Sequence, residues 1–140
     1  MKQNFEVLNS FIDSISIIDK TGEIIFTNNS WNKFSKENDG NKNKTCIGTN
    51  YISICENTVG EDLQSAIEAK NGILSVINQR TKIFELEYPC HSLEKNRWFI
   101  LRVVPYESNS DHYIISHINI TNRKLAEQSV DLKNQQLIMI

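Results

Sequence analysis

Residues 97–124 read RWFILRVVPYESNSDHYIISHINITNRK, and their pattern decides the fold. Two runs rich in β-branched and aromatic residues flank a polar turn at residues 109–111, the signature of an antiparallel strand pair. Alternation places Phe99, Leu101 and Val103 on one face of the first run, with Trp98, Ile100 and Arg102 on the other. In the second run Tyr113, Ile115, His117 and Asn119 share a face, opposite Ile114, Ser116, Ile118 and Ile120. Both faces are too apolar for bare water. Trp98, Ile100 and Ile118 therefore predict an outer surface covered by a terminal helix or by a partner subunit, with Trp98 as its anchor.

Upstream, KIFELEYPC (82–90) alternates in the same way, with Phe84, Leu86 and Tyr88 opposite Ile83, Glu85 and Glu87. A turn at residues 92–96 joins it to the pair above, so the last third predicts a three-stranded meander. Before it, residues 58–61 (TVGE) form a capping box, predicting a helix that runs to Gln79 with Leu63, Ala66, Ile67, Leu74 and Ile77 on its buried face. YISIC (51–55) is a short apolar piece, and residues 36–49 are polar enough to be a surface loop. SISIIDKTGEIIFTN predicts strands over 15–19 and 23–27 joined by an Asp-to-Gly turn at 19–22. Asn28 is placed to cap the helix carrying Trp31 and Phe34. Phe5, Leu8, Phe11 and Ile12 predict an amphipathic N-terminal helix within 1–13. Leu125, Leu132 and Met139, seven apart, give residues 122–140 a heptad-like seam. The body of the domain is then 14–121. An antiparallel sheet of five strands with helices on one face is an α+β layer architecture.

At 140 residues the chain is one domain with material for one core, since 39% of it is apolar. Fifteen Lys and Arg stand against seventeen Asp and Glu, a net charge of −2, which argues against nucleic acid and anionic membrane surfaces as partners. No apolar run is long enough to span a bilayer and no secretion signal opens the chain, so a cytoplasmic location is expected. Cys46, Cys55 and Cys90 lack CxxC spacing and read as free thiols. Cys90 and His91, with His117 and Cys55, are the available soft metal ligands. Adjacent strand residues point to opposite faces, so no metal site is expected, and Cys90 reads as an inward apolar thiol.

The segments SISIIDKTGEIIFTNNSW, GTNYISIC, FELEYPCHSLEKNRWFILRVVP and ISHINITNRKLAEQ together resemble a PAS domain, a sensory module of bacterial signalling proteins, over residues 8–128. EYPCHS and SHINITNRK resemble one subgroup of that family. The resemblance implies a sensor that binds a small molecule, or responds conformationally, and relays its state through the exit helix. It also implies a homodimer, and an effector such as a histidine kinase or a diguanylate cyclase on the same or a partner chain. Asn119-Ile120-Thr121 stands at the family's Asp-Ile-Thr position before that helix, and with Arg123 makes up the implied relay; Asn119 permits only a neutral hydrogen bond there. Neither Cys46 nor Cys55 lies in the reactive motif of the light-oxygen-voltage flavin type, and no histidine before His91 can ligate a haem, so both cofactors are disfavoured.

The same alignment puts His117 where flavin-binding relatives present a glutamine to the ligand. It is expected to face the cavity, either as a hydrogen-bond donor or acceptor or as a group titrating near neutral pH, or else to be a buried structural histidine bonded to a backbone carbonyl. The other candidate ligand-binding residues are Tyr113, Ile115, Phe99, Leu101, Tyr88, Cys90 and Asn28, and the helix-docking or dimer face comprises Trp98, Ile100, Ile118, Leu125 and Leu132. Arg123 and Lys124 read as the solvated start of the exit helix. The competing function is a ligand-free dimerisation module, and a cavity of a few hundred cubic ångströms would favour sensing over it. No nucleophile triad or paired inward carboxylates support catalysis, because Glu85 and Glu87 fall on the solvent side.

Overall fold

The computed structural model describes residues 4–38, 46–91, 94–108 and 110–138. The centre of the expected 36–49 loop, two residues of the 92–96 turn, Asn109 and the seam position Met139 lie outside the described residues. The first hairpin joins β1 (Ser14–Asp19) to β2 (Ile24–Thr27). Its turn is built by Asp19, whose Oδ1 accepts from the Thr21 and Glu23 amides at 2.9 and 3.1 Å and from Thr21 Oγ1 at 2.6 Å. Gly22 sits at φ +96°, and a Cβ there would collide with Ile52 and Asn50. The turn needs glycine both for its backbone sign and for the close approach of the chain above it.

β3 (Phe84–Pro89), β4 (Trp98–Pro105) and β5 (His112–Asn119) form the expected meander. The sheet order is β2-β1-β5-β4-β3, all antiparallel, so β5 lies at the centre beside the first strand. This insertion brings Ser14 opposite His117. Helices α1 (Asn29–Asn38), α2 (Tyr51–Glu56) and α3 (Leu63–Ile77) cover the inner face. The core there joins Ile18, Ile24, Trp31, Ile73, Val76, Leu101, Val103 and Ile115. An α+β sandwich of one sheet and one helical layer results.

Four expectations change. The N-terminal helix is a 3-10 stretch, Glu6–Ser10, and Phe11 and Ile12 are exposed rather than buried. Phe5 docks edge-on to Tyr106 at 5.2 Å and beside Phe26 and His112 on the outer face of the sheet, and Leu8 is half-buried. The capping box does not form. Thr58 Oγ1 instead donates to Ile54 O at the end of α2, and α3 is preceded by a 3-10 turn, Gly60–Asp62, with no side-chain cap. The buried face of α3 is Ala66, Ala69, Gly72, Ile73 and Val76, while Leu63 and Ile67 are exposed. Small residues face the sheet because the helix approaches it closely: a Cβ on Gly72 would fall on the Phe84 ring.

Finally, the start of the last helix, α4 (Thr121–Ile138), is not merely solvated. Arg123 pairs with Glu87 Oε1, and Lys124 reaches Glu87 Oε2 at 3.0 Å. Glu87 lies on the outer face of β3, so it ties the first turn of α4 to the sheet edge. Lys124 and the neighbouring Arg123 hold the Glu87 carboxyl below its ordinary range, chiefly through the Lys124 hydrogen bond.

Candidate ligand cavity and its link to the exit helix

Between α2, α3 and the inner face of β3–β5 lies a cavity of about 250 Å³. Its sheet side is made by Leu86, Tyr88 and Cys90 with Leu101 and His117, and its helical side by Tyr51, Ile54, Cys55, Ala66 and Ala69. Alternation explains the sheet side, because Leu86, Tyr88 and Cys90 are every second residue of one edge. The helical side follows from spacing, with Tyr51 and Cys55 one turn apart on α2 and Ala66 and Ala69 adjacent on the inner face of α3. The two alanines leave room that larger side chains would fill.

His117 is the centre of its polar group. Its Nε2 is 3.0 Å from the Tyr51 hydroxyl and its Nδ1 is 2.5 Å from the Tyr88 hydroxyl. The ring also lies 5.2 Å from that of Trp31. Burial pushes the His117 pKa down to about 4, so the imidazole is neutral at physiological pH. This corrects the expectation of titration near neutrality. Burial likewise holds both tyrosine hydroxyls well above their ordinary value, with nearby Cys55 and Tyr88 adding for Tyr51 and Cys90 adding for Tyr88. Burial raises Cys55 to about 11 and raises Cys90 against the opposing pull of Arg97, so both thiols stay protonated and weakly nucleophilic.

Of the sequence-derived candidates, Tyr88, Cys90, Leu101 and His117 line the cavity. Phe99, Tyr113 and Ile115 face the same side of the sheet but are packed in the core; Phe99 stacks on Tyr88 at 5.8 Å, backing its ring. Asn28 is elsewhere, with every polar atom engaged by backbone. Its Oδ1 accepts from the Ile15 and Trp31 amides, and its Nδ2 donates to the Leu8 and Asp13 carbonyls. The helical wall escaped sequence reasoning, although Tyr51 and Cys55 at i, i+4 and the paired alanines of α3 were the available signals. Cys90 and His91 diverge: Cys90 lines the cavity, while His91 packs edge-on against Trp98 at 4.9 Å. Among the described residues no group of three or more His, Cys, Asp or Glu could hold a metal ion.

The residues expected to make up the relay form a compact junction. The Ile120 amide donates to Trp98 O, and the Trp98 amide donates to Thr121 Oγ1. Asn119 Oδ1 accepts from the Thr121 amide at 2.9 Å, the neutral bond expected of asparagine here. Trp98, Ile100 and Ile118 are half-buried on the outer face, whereas Leu125 and Leu132 are 50% and 58% exposed. Tyr88 and Glu87 are consecutive on β3, one facing the cavity and the other holding α4.

This sheet order and helical cover match known structures. The PAS domain of Bordetella pertussis BvgS superposes with a TM-score of 0.52 at 20% identity, covering 90% of this chain and 86% of that one. The chain has the PAS fold. Two further structures of complexes superpose on the chain. The Cronobacter turicensis RpfR quorum-sensing receptor PAS domain in complex with C12:0 has a TM-score of 0.53 at 21% identity, over 79% of this chain and 96% of that one. The phage VqmA–DPO complex has a TM-score of 0.58 at 16% identity, over 91% of this chain and 56% of that one. In sequence, an uncharacterized 104.1 kDa protein from Rhodobacter capsulatus is 32% identical over 127 residues, which is 85% of this PAS chain. The match spans 13% of that protein's length. No protein-family model matches the sequence. Among the described residues no helix is long and apolar enough to cross a membrane.

Proposed function

We propose that this PAS domain is the sensory module of a cytoplasmic signalling protein. A small molecule in the cavity biases how α4 docks on the sheet, and that bias passes to an effector such as a histidine kinase or diguanylate cyclase. The observation that carries this reading is the cavity of about 250 Å³ whose β3 wall is, on its reverse side, the anchor of α4. A shift of β3 that accommodates a ligand against Tyr88 also moves Glu87. Two docking states of α4 that bind the ligand unequally are all such a relay requires. The RpfR PAS domain in complex with C12:0 supports the choice of a ligand over a purely conformational input.

Native mass spectrometry of the protein isolated from its own host tests the first half. A discrete added mass is expected, and a mass equal to the bare chain in every charge state contradicts it. Glu87→Gln tests the second half. Hydrogen exchange in residues 121–127 is expected to accelerate while the sheet amides are unchanged; unaltered exchange in that turn contradicts the anchor.

The exposed Leu125 and Leu132 favour a second reading, a homodimer formed through α4 with no ligand. Loss of the dimer on truncation at Asn122, combined with the bare-chain mass, is its expected result.

A further inference from the structure

The polar group of the cavity has an uneven proton count. Burial keeps His117 neutral, with one N–H, and keeps Tyr51 and Tyr88 as phenols, so the three side chains hold three hydrogen-bonding protons. They are joined by two links only, Tyr51 to Nε2 and Tyr88 to Nδ1. Each link uses one proton, so one remains. With the proton on Nε2, the imidazole donates to Tyr51 and accepts from Tyr88, and the Tyr51 hydroxyl proton is left over. With the proton on Nδ1, the directions reverse and the Tyr88 proton is left over. Among the described residues neither hydroxyl has another hydrogen-bond partner. All three side chains line the cavity. The leftover hydroxyl proton has no acceptor within the three side chains, and a ligand atom in the cavity is placed to accept it.

We infer that the Tyr51–His117–Tyr88 relay recognises a small uncharged molecule through one hydrogen-bond acceptor, such as a carbonyl oxygen or a ring nitrogen, which takes the proton the relay cannot place internally. This rests on the sensory reading of the cavity and names its ligand class. The acceptor is uncharged because no lysine or arginine lines the cavity while Asp62 does, and the nearby Arg97 guanidinium is engaged by Cys90 O and the Phe34 ring, so a carboxylate or phosphate would lose its hydration and meet a like charge. The rest of the molecule is apolar and compact. Ile54, Cys55, Ala66, Ala69, Leu86 and Leu101 supply its contacts. A volume of about 250 Å³ holds on the order of ten non-hydrogen atoms, each taking somewhat less than the roughly 30 Å³ of a liquid water molecule. Because the tautomer can switch, the relay offers its donor at either of two positions. It therefore tolerates ligands whose acceptor sits toward α2 or toward β3.

The test uses three probes of one shape and about that size: acetophenone with a carbonyl acceptor, α-methylstyrene with a methylene in its place, and benzoate as the anion. Binding to the intact chain is followed by chemical-shift changes, with the His117 ring nitrogens observed directly. Acetophenone is expected to bind about five- to tenfold more tightly than α-methylstyrene, the worth of one neutral hydrogen bond. It is also expected to shift the His117 tautomer ratio, and benzoate to bind more weakly than either. The variant Y51F/H117L/Y88F, which replaces the relay with apolar groups, is expected to bind acetophenone and α-methylstyrene equally. Should that variant not fold, the wild-type affinity ratio and tautomer shift decide alone. Equal binding of the two neutral probes to the wild type, or tighter binding of benzoate, overturns the relay inference and leaves the sensory reading standing. Failure of all three probes to bind overturns the inference together with the cavity reading on which it rests.

Discussion

Acidification should destabilise this domain through His117 in a window set by burial. The ring's hydrogen-bond partners are two neutral hydroxyls, so no hydrogen-bonded carboxylate offsets the cost of charging it. Its pKa is about 4 in the folded protein against an ordinary 6.5. The folded value is the lower one, so the unfolded chain takes up the proton first as pH falls. The contribution is complete above about pH 6.5, is lost progressively down to about pH 4, and does not change further below that. At about 1.4 kcal/mol per pH unit, the whole window corresponds to about 3 kcal/mol, and the stretch from pH 6.5 to 5 to about 2 kcal/mol. That is a sizeable part of the roughly 5–15 kcal/mol total of an ordinary domain. Urea unfolding of the wild type and of His117→Gln at intervals from pH 7.5 to 4.5 measures it. The variant is less sensitive to pH, and the difference in stability between the two proteins should shrink by about 2 kcal/mol from pH 6.5 to 5. Subtracting one protein from the other removes the contribution of carboxylates such as Glu87, common to both. A difference that stays constant across the window would refute the reasoning, as would His117 ring resonances that titrate with a midpoint above pH 6.

Two further predictions concern the frame that holds the cavity. Asn28→Ala removes a side chain whose four hydrogen bonds join the N-terminal segment, β1 and α1, leaving buried amides and carbonyls unpaired; a loss of about 3 kcal/mol or more is expected in urea unfolding, and a loss below 1 kcal/mol would show that water replaces it. Gly72→Ala gains up to about 1 kcal/mol of helix propensity but drives a methyl group into the Phe84 ring, so a net loss of about 1–2 kcal/mol is expected, partly restored by adding Phe84→Leu; a variant as stable as the wild type would contradict the close packing of α3 on β3.

The sequence by itself determined what depends on neighbours along the chain. Period-two alternation specified which residues of β3, β4 and β5 face inward, including Tyr88, Leu101 and His117, because successive strand side chains must point to opposite faces. Asp19 and Gly22 specified the first turn, and Asn28 the start of α1, since each acts on backbone groups a few residues away. Tertiary structure alone decided the rest. Size and hydrophobicity favoured Leu63 and Ile67 as the buried face of α3, yet the sheet approaches so closely that Ala66, Ala69 and Gly72 face it instead. Thr58 had a local cap available but lies nearer the end of α2, and its hydroxyl bonds there. The site shows the same division. Tyr51 and His117 are 66 residues apart, and only the placement of β5 at the centre of the sheet, under α2, brings them within hydrogen-bonding distance. The charge state of His117 follows from that placement too, because what lowers its pKa is the loss of water around the ring, a property of the packed interior and not of the residue.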